Sequence, residues 1–123
     1  MTQKELSKGQ VRFAEALEKT KIHKNEATVL AYLAKNEDAK SIDIQKATGI
    51  SQPEVSISVN ALEERGWVTK KSVNLGKSGR PHYEYRLEKS VPEILDELEE
   101  TAMASIQRIR DTINDLRNAA DEL

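Results

Sequence analysis

The chain has 123 residues, 33% charged and 37% hydrophobic, with 19 Lys and Arg against 21 Asp and Glu for a net charge of −2. That leaves room for one domain and a long appendage, and none for two catalytic lobes. Cysteine is absent, which removes disulfides, thiolate nucleophiles and Cys-ligated zinc together. No apolar run approaches the roughly 18 residues of a membrane span and residues 1–10 are polar, so a cytoplasmic protein without a membrane partner is expected.

In residues 7–19, Val11, Ala14 and Leu17 share one helical stripe, and Asn25 can cap a second helix with Ala27, Leu30, Ala31 and Ala34 on one face. Ser41 opens a short helix with Ile44 and Ala47 inward, stopped by Gly49 in a position suited to a left-handed cap, after which Ile50 plugs the core. Ser51, Gln52, Pro53 and Glu54 then read as a capping box with a proline in the first turn. Val55, Val59 and Leu62 continue inward until Gly66 ends the helix. Two helices are thus joined by a tight, glycine-containing turn.

After Gly66 the hydrophobic period becomes two. Residues 67–73 are rich in β-formers, residues 74–81 form a basic loop with two glycines, and Tyr83, Tyr85 and Leu87 alternate beyond it, which predicts a β-hairpin with a long tip. Tyr83 and Tyr85 are expected to pack on Trp67. From Val91 onwards no breaker follows Pro92, and Val91, Leu95, Leu98, Ala102, Ile106, Ile109, Ile113, Leu116, Ala120 and Leu123 form a heptad seam with one stutter, between Ala102 and Ile106. If helical throughout, this segment spans roughly 50 Å and needs a partner along its seam.

Charge follows the same division. Residues 1–40 and 41–89 each carry 8 basic and 6 acidic side chains, whereas residues 90–123 carry 3 and 9, giving +2, +2 and −6. A basic body beside an acidic tail points to an anionic partner for the one and a separate task for the other. Helix, turn, helix and basic hairpin in this order predict a mainly α fold with a β-hairpin wing: a winged helix-turn-helix over residues 1–90. A long C-terminal dimerisation helix, a coiled coil, is expected over residues 91–123.

The residues also carry a family resemblance. The segment Lys24–Leu33, the run of Ile44, Gln45, Lys46, Ala47, Thr48, Gly49, Ile50, Ser51, Gln52, Pro53, Glu54, Val55 and Ser56, and the run of Leu62, Glu63, Glu64, Arg65, Gly66, Trp67 and Val68 resemble the winged-helix domain of archaeal TrmB-type regulators, and almost equally of MarR-type regulators. The resemblance covers about residues 20–90. It implies a DNA-binding transcriptional regulator, similar to short archaeal members that keep the winged helix and a dimerising helix without a sugar-binding domain.

With Val55, Val59 and Leu62 inward, the second helix of the motif offers Gln52, Ser56, Ile57 and Asn60 outward near its Ser51 and Pro53 start. Gln and Asn can pair with adenine, serine with several groups, and an aliphatic side chain can pack on a thymine methyl; the plainer alternative is an ordinary polar outer face. In the wing, Lys77, Ser78 and Arg80 sit on a glycine-flanked loop suited to phosphates or a narrow minor groove, or simply to solvent, while Lys70 and Lys71 are expected to serve phosphates. The dimer seam rests on Leu95, Leu98, Ala102, Ile106, Ile109, Ile113 and Leu116. The expected partners are double-stranded DNA and a second copy of the chain; an effector is left open.

No enzymatic centre is predicted. His23 and His82 are the only histidines and lie apart from other strong ligands, so no metal and no cofactor are expected. The adjacent pairs Glu63–Glu64 and Glu99–Glu100 face different sides of their helices and make no acid–base pair. The rival reading is a winged-helix protein-interaction module of a transcription or chromosome-maintenance assembly, whose basic wing meets DNA only incidentally.

Overall fold

The computed structural model describes residues 5–73 and 82–123. The elements run α1 (Lys8–Glu18), α2 (Lys24–Leu33), β1 (Ala39–Lys40), α3 (Ser41–Thr48), α4 (Gln52–Glu64), β2 (Val68–Val73), β3 (His82–Leu87) and α5 (Val91–Asp121). This is a winged-helix fold followed by a long C-terminal helix. By internal packing the chain divides into two units, Met1–Ser90 and Val91–Leu123.

Helix α1 begins at a reciprocal cap. Ser7 Oγ accepts from the Gln10 amide at 3.2 Å and Gln10 Oε1 accepts from the Ser7 amide at 2.8 Å. The same glutamine donates from Nε2 to the Ala31 carbonyl of α2 at 3.0 Å. Gln10 is therefore buried with Ala14 and Leu17, whereas Val11, expected inward, is 41% exposed. Positions 10, 14 and 17 make a helical stripe as regular as 11, 14 and 17. A polar residue can occupy it because both ends of its amide find a hydrogen-bond partner there, Oε1 the Ser7 amide and Nε2 the Ala31 carbonyl.

Helix α2 is capped by His23, whose Nδ1 accepts from the Asn25 amide at 3.2 Å, so the cap lies two residues before the expected asparagine. It also has more than one buried face: Val29, Tyr32 and Leu33 are inside together with Ala27, Leu30 and Ala31. A helix enclosed by α1, α3, α4 and β3 carries no amphipathic stripe, which is why periodicity located it but misjudged its surroundings.

Helices α3 and α4 follow the sequence closely. The Lys40 amide donates to Asp43 Oδ2 at 3.1 Å at the start of α3, and Gly49 ends it at φ 77°. Ser51 Oγ accepts from the Glu54 amide at 3.4 Å, the serine half of the expected box, and Val55, Val59 and Leu62 are buried. At the far end the Gly66 amide donates to Glu63 O at 2.9 Å and the Trp67 amide to Leu62 O at 3.1 Å. These two bonds form a Schellman closure, with Trp67 and Leu62 both buried.

The wing is a three-stranded antiparallel sheet in the order β1-β3-β2. Val68 faces Leu87, Lys70 faces Tyr85 and Val73 faces His82, while the two-residue β1 adds Ala39 opposite Tyr85 and Lys40 opposite Glu84. Two residues are too few to leave a period, so β1 had no sequence signal. In the second unit, α5 runs for 31 residues. Of the seam residues, Leu95, Ala102, Ile106, Ile109, Ile113 and Leu116 are exposed and Leu98 is half-buried.

Gly66 tests the local logic of the turn. Its φ is 80° and an added Cβ would meet nothing within 4 Å, so Gly66→Ala incurs backbone strain alone. The expected loss is about 1 kcal/mol, read as a midpoint lowered by ~4–8 °C in thermal unfolding. An unchanged midpoint would show that the turn relaxes out of the left-handed region.

Candidate nucleic-acid interface

A groove of about 560 Å³ lies between α3, α4 and the wing sheet. Its α4 wall is made by Gln52, Ser56 and Asn60, which recur every four residues and so share one side of the helix. The stripe Val55, Val59 and Leu62 holds the adjacent flank of α4 in the core, and that anchorage sets the direction of the three polar side chains. All three were expected on the outer face.

Ile57 is placed differently. It is 69% exposed, but it lies beside Glu54 and Ser58 in a separate depression reached by His23, Asn25 and Glu26 of the α2 start. The four expected reading residues therefore fall into a polar group of three facing the wing and an isoleucine on the outer shoulder. Ser51 and Pro53 are exposed at the helix start.

The facing walls bring in the expected Lys70 of the wing and add residues not expected at the site: Lys40, Ser41, Ile42 and Gln45 from β1 and α3, and His82, Tyr83 and Tyr85 from the wing. Gln45 Nε2 donates to Ser41 Oγ at 3.0 Å, which fixes the amide along the wall. Ile42 is 49% exposed and lies off the inward stripe of Ile44 and Ala47, the same signal that singled out Ile57. Lys40 could not be found this way, because β1 itself was not visible.

The cations are not equivalent. Lys70 Nζ lies 3.9 Å from Glu63 Oε1 and 4.9 Å from the centre of the Tyr83 ring. Lys71 stands opposite Glu84 across the β2–β3 ladder. Arg65 at the end of α4 is 3.6 Å from Glu26 and packs over Trp67 at 5.0 Å. Tyr83, expected against Trp67, is instead exposed under Lys70, while Tyr85 and Trp67 are buried. Lys77, Ser78 and Arg80 lie outside the described residues.

Among the described residues no group of three or more His, Cys, Asp and Glu is placed to hold a metal ion, and no helix is long and apolar enough to cross a membrane. At the base of the groove, burial, then the charge of Glu63 and the neighbouring Tyr83, hold the Tyr85 phenol above the ordinary tyrosine value.

The fold agrees with the likenesses to known proteins. Residues 20–76 match a family model described as the MarR family. A solved structure, a possible transcriptional regulator from Methanosarcina mazei Go1, superposes with a TM-score of 0.67 over 87% of this chain and 85% of the other, at 16% identity. At that identity the likeness is one of fold. No curated protein matches the sequence significantly.

The raised Tyr85 pKa has a defined sign. The unfolded phenol ionises near pH ~10 while the folded one keeps its proton, so the unfolded state releases protons first and stability falls as pH rises through that value. Urea unfolding from about pH 9 to about pH 11 should show this fall, and Tyr85→Phe should reduce its slope. An identical slope in the variant would place the titration elsewhere.

Proposed function

We propose that the chain is a sequence-specific transcriptional regulator of MarR-like or TrmB-like kind that binds double-stranded DNA as a homodimer, with α4 in the major groove and the wing on the minor groove or backbone. The observation that carries this reading is the groove, where three side chains able to bond base edges stand in a row opposite a wall bearing Lys70, with Lys40 at the start of α3. Gln52 and Asn60 are suited to adenine, Ser56 to several groups, and Ile57 to a thymine methyl on the outer shoulder. Lys70, Lys71, Lys77 and Ser78 serve the phosphates, and Arg80 a narrow minor groove. The match to the MarR family over the reading segment supports the assignment.

The second unit supplies the dimer in this reading. Burial of Ile106, Ile109, Ile113 and Leu116 against a second copy contributes roughly 1.5–3 kcal/mol for each side chain before entropic costs. Joined reading heads raise the effective concentration of each at its half-site. Ile109→Asp should yield monomers with weakened binding to a two-half-site operator, measured by sedimentation and DNA titration. A wild-type chain that sediments as a monomer at micromolar concentration would overturn the dimer.

Sequence reading is tested by in-vitro selection of DNA with the wild type and with Gln52→Ala, Ile57→Ala and Asn60→Ala, folding being confirmed by circular dichroism. Each variant should lose information at its own base positions, by about 1–3 kcal/mol where a bidentate contact is removed. If all three fold and return the wild-type motif, α4 does not read the sequence.

A further inference from the structure

On the side of α3 away from the groove lies a second, strongly polar depression of about 250 Å³, lined by Tyr32, Lys35, Asn36, Glu37, Asp38 and Asp43, with Ala39 of β1. Tyr32 is 0% exposed, yet its hydroxyl has no hydrogen-bond partner in the structure. Unmade hydrogen bonds on buried hydroxyls are costly, and native proteins satisfy nearly all of them. Burial, followed by the charge of Asp43, holds the phenol above its ordinary value, so its oxygen stays neutral and within the field of that carboxylate.

The remaining walls define what would satisfy it. Three carboxylates and one lysine give the lining an excess of two negative charges. Asp43 uses Oδ2 to accept from the Lys40 amide at 3.1 Å, Asp38 is held at φ 52° and its Oδ1 lies 4.0 Å from Arg86, and Asn36 Nδ2 donates to the Tyr32 carbonyl at 2.9 Å. The acidic groups are not gathered as a metal site would require. An excess of negative charge around a buried, unpartnered hydroxyl suits a molecule that brings positive charge and N–H donors.

We propose that this depression binds a small organic cation, a primary amine or guanidinium compound, whose donors meet the Tyr32 hydroxyl oxygen and the Asp43 carboxylate. The small volume restricts it to a short aliphatic molecule. The α3 helix is a common wall: Asp43 caps it from this side, and Ser41, Ile42 and Gln45 line the groove on the other. An occupant would therefore bear on the position of α3. That consequence alone rests on the DNA reading, and binding can be tested without DNA.

The experiment is an NMR titration of the full ¹⁵N-labelled chain with agmatine and with 1,4-diaminobutane, and with glutarate as an anion of comparable length. Saturable shifts at the amides of Tyr32, Asn36, Asp38 and Asp43 with at least one amine, and none with glutarate, are expected. Asp43→Asn keeps an oxygen for the Lys40 amide while removing the charge, and should weaken binding by about tenfold or more. Tyr32→Phe removes only the hydroxyl and should weaken it several-fold. No saturable shift with either amine up to ~10 mM would overturn the proposal, as would binding unchanged in Asp43→Asn.

Discussion

Three buried side chains on α4, Val55, Val59 and Leu62, decide where every other residue of that helix can point. With 3.6 residues per turn, fixing one stripe fixes the rest: Gln52, Ser56 and Asn60 turn towards the wing, and Ile57 onto the outer shoulder. The anchorage is strong because both ends of the helix are also closed, by Ser51 at the start and by the Gly66 and Trp67 amides at the finish. A surface proposed to read base edges needs this rigidity. Side chains that wandered by one rotamer step along a mobile helix could not discriminate one base edge from another.

Legibility in the sequence followed the range of the forces involved. Caps, glycine stops and the inward stripe of α4 act over three or four residues, so they could be read directly: α3 stops at Gly49 as expected, and α4 shows the serine half of its expected box without the returning Glu54 bond. Features set by distant partners could not. Gln10 is buried because Ala31, 21 positions away, accepts its proton, and nothing near Gln10 announces that bond. The full enclosure of α2 and the two-residue β1 belong to the same class, and with β1 went Lys40, a groove residue. Ile42 was within reach by the logic applied to Ile57.

The two units place their apolar surface in opposite ways. In the first, large side chains such as Tyr32, Leu30 and Leu62 are wholly inside, and α2 offers solvent little of itself. In the second, a row of isoleucines and leucines stands in the open along one helix, among a marked excess of acidic residues. The acidic residues give the open seam solubility and keep it from indiscriminate association.

The central strand of the wing carries a further consequence. Glu84 stands opposite Lys40 on one neighbouring strand and opposite Lys71 on the other. Directly paired positions in an antiparallel sheet bring their Cβ atoms within about 5 Å, so one carboxylate stands near two lysines and lowers the positive potential of both. A carboxylate fixed on the strand, unlike a mobile counter-ion, gives no entropy of release when an anion binds nearby. The wing thus attracts anions less than its lysine content suggests. If the wing meets DNA as proposed, a surface damped in this way dwells only briefly on an arbitrary polyanion.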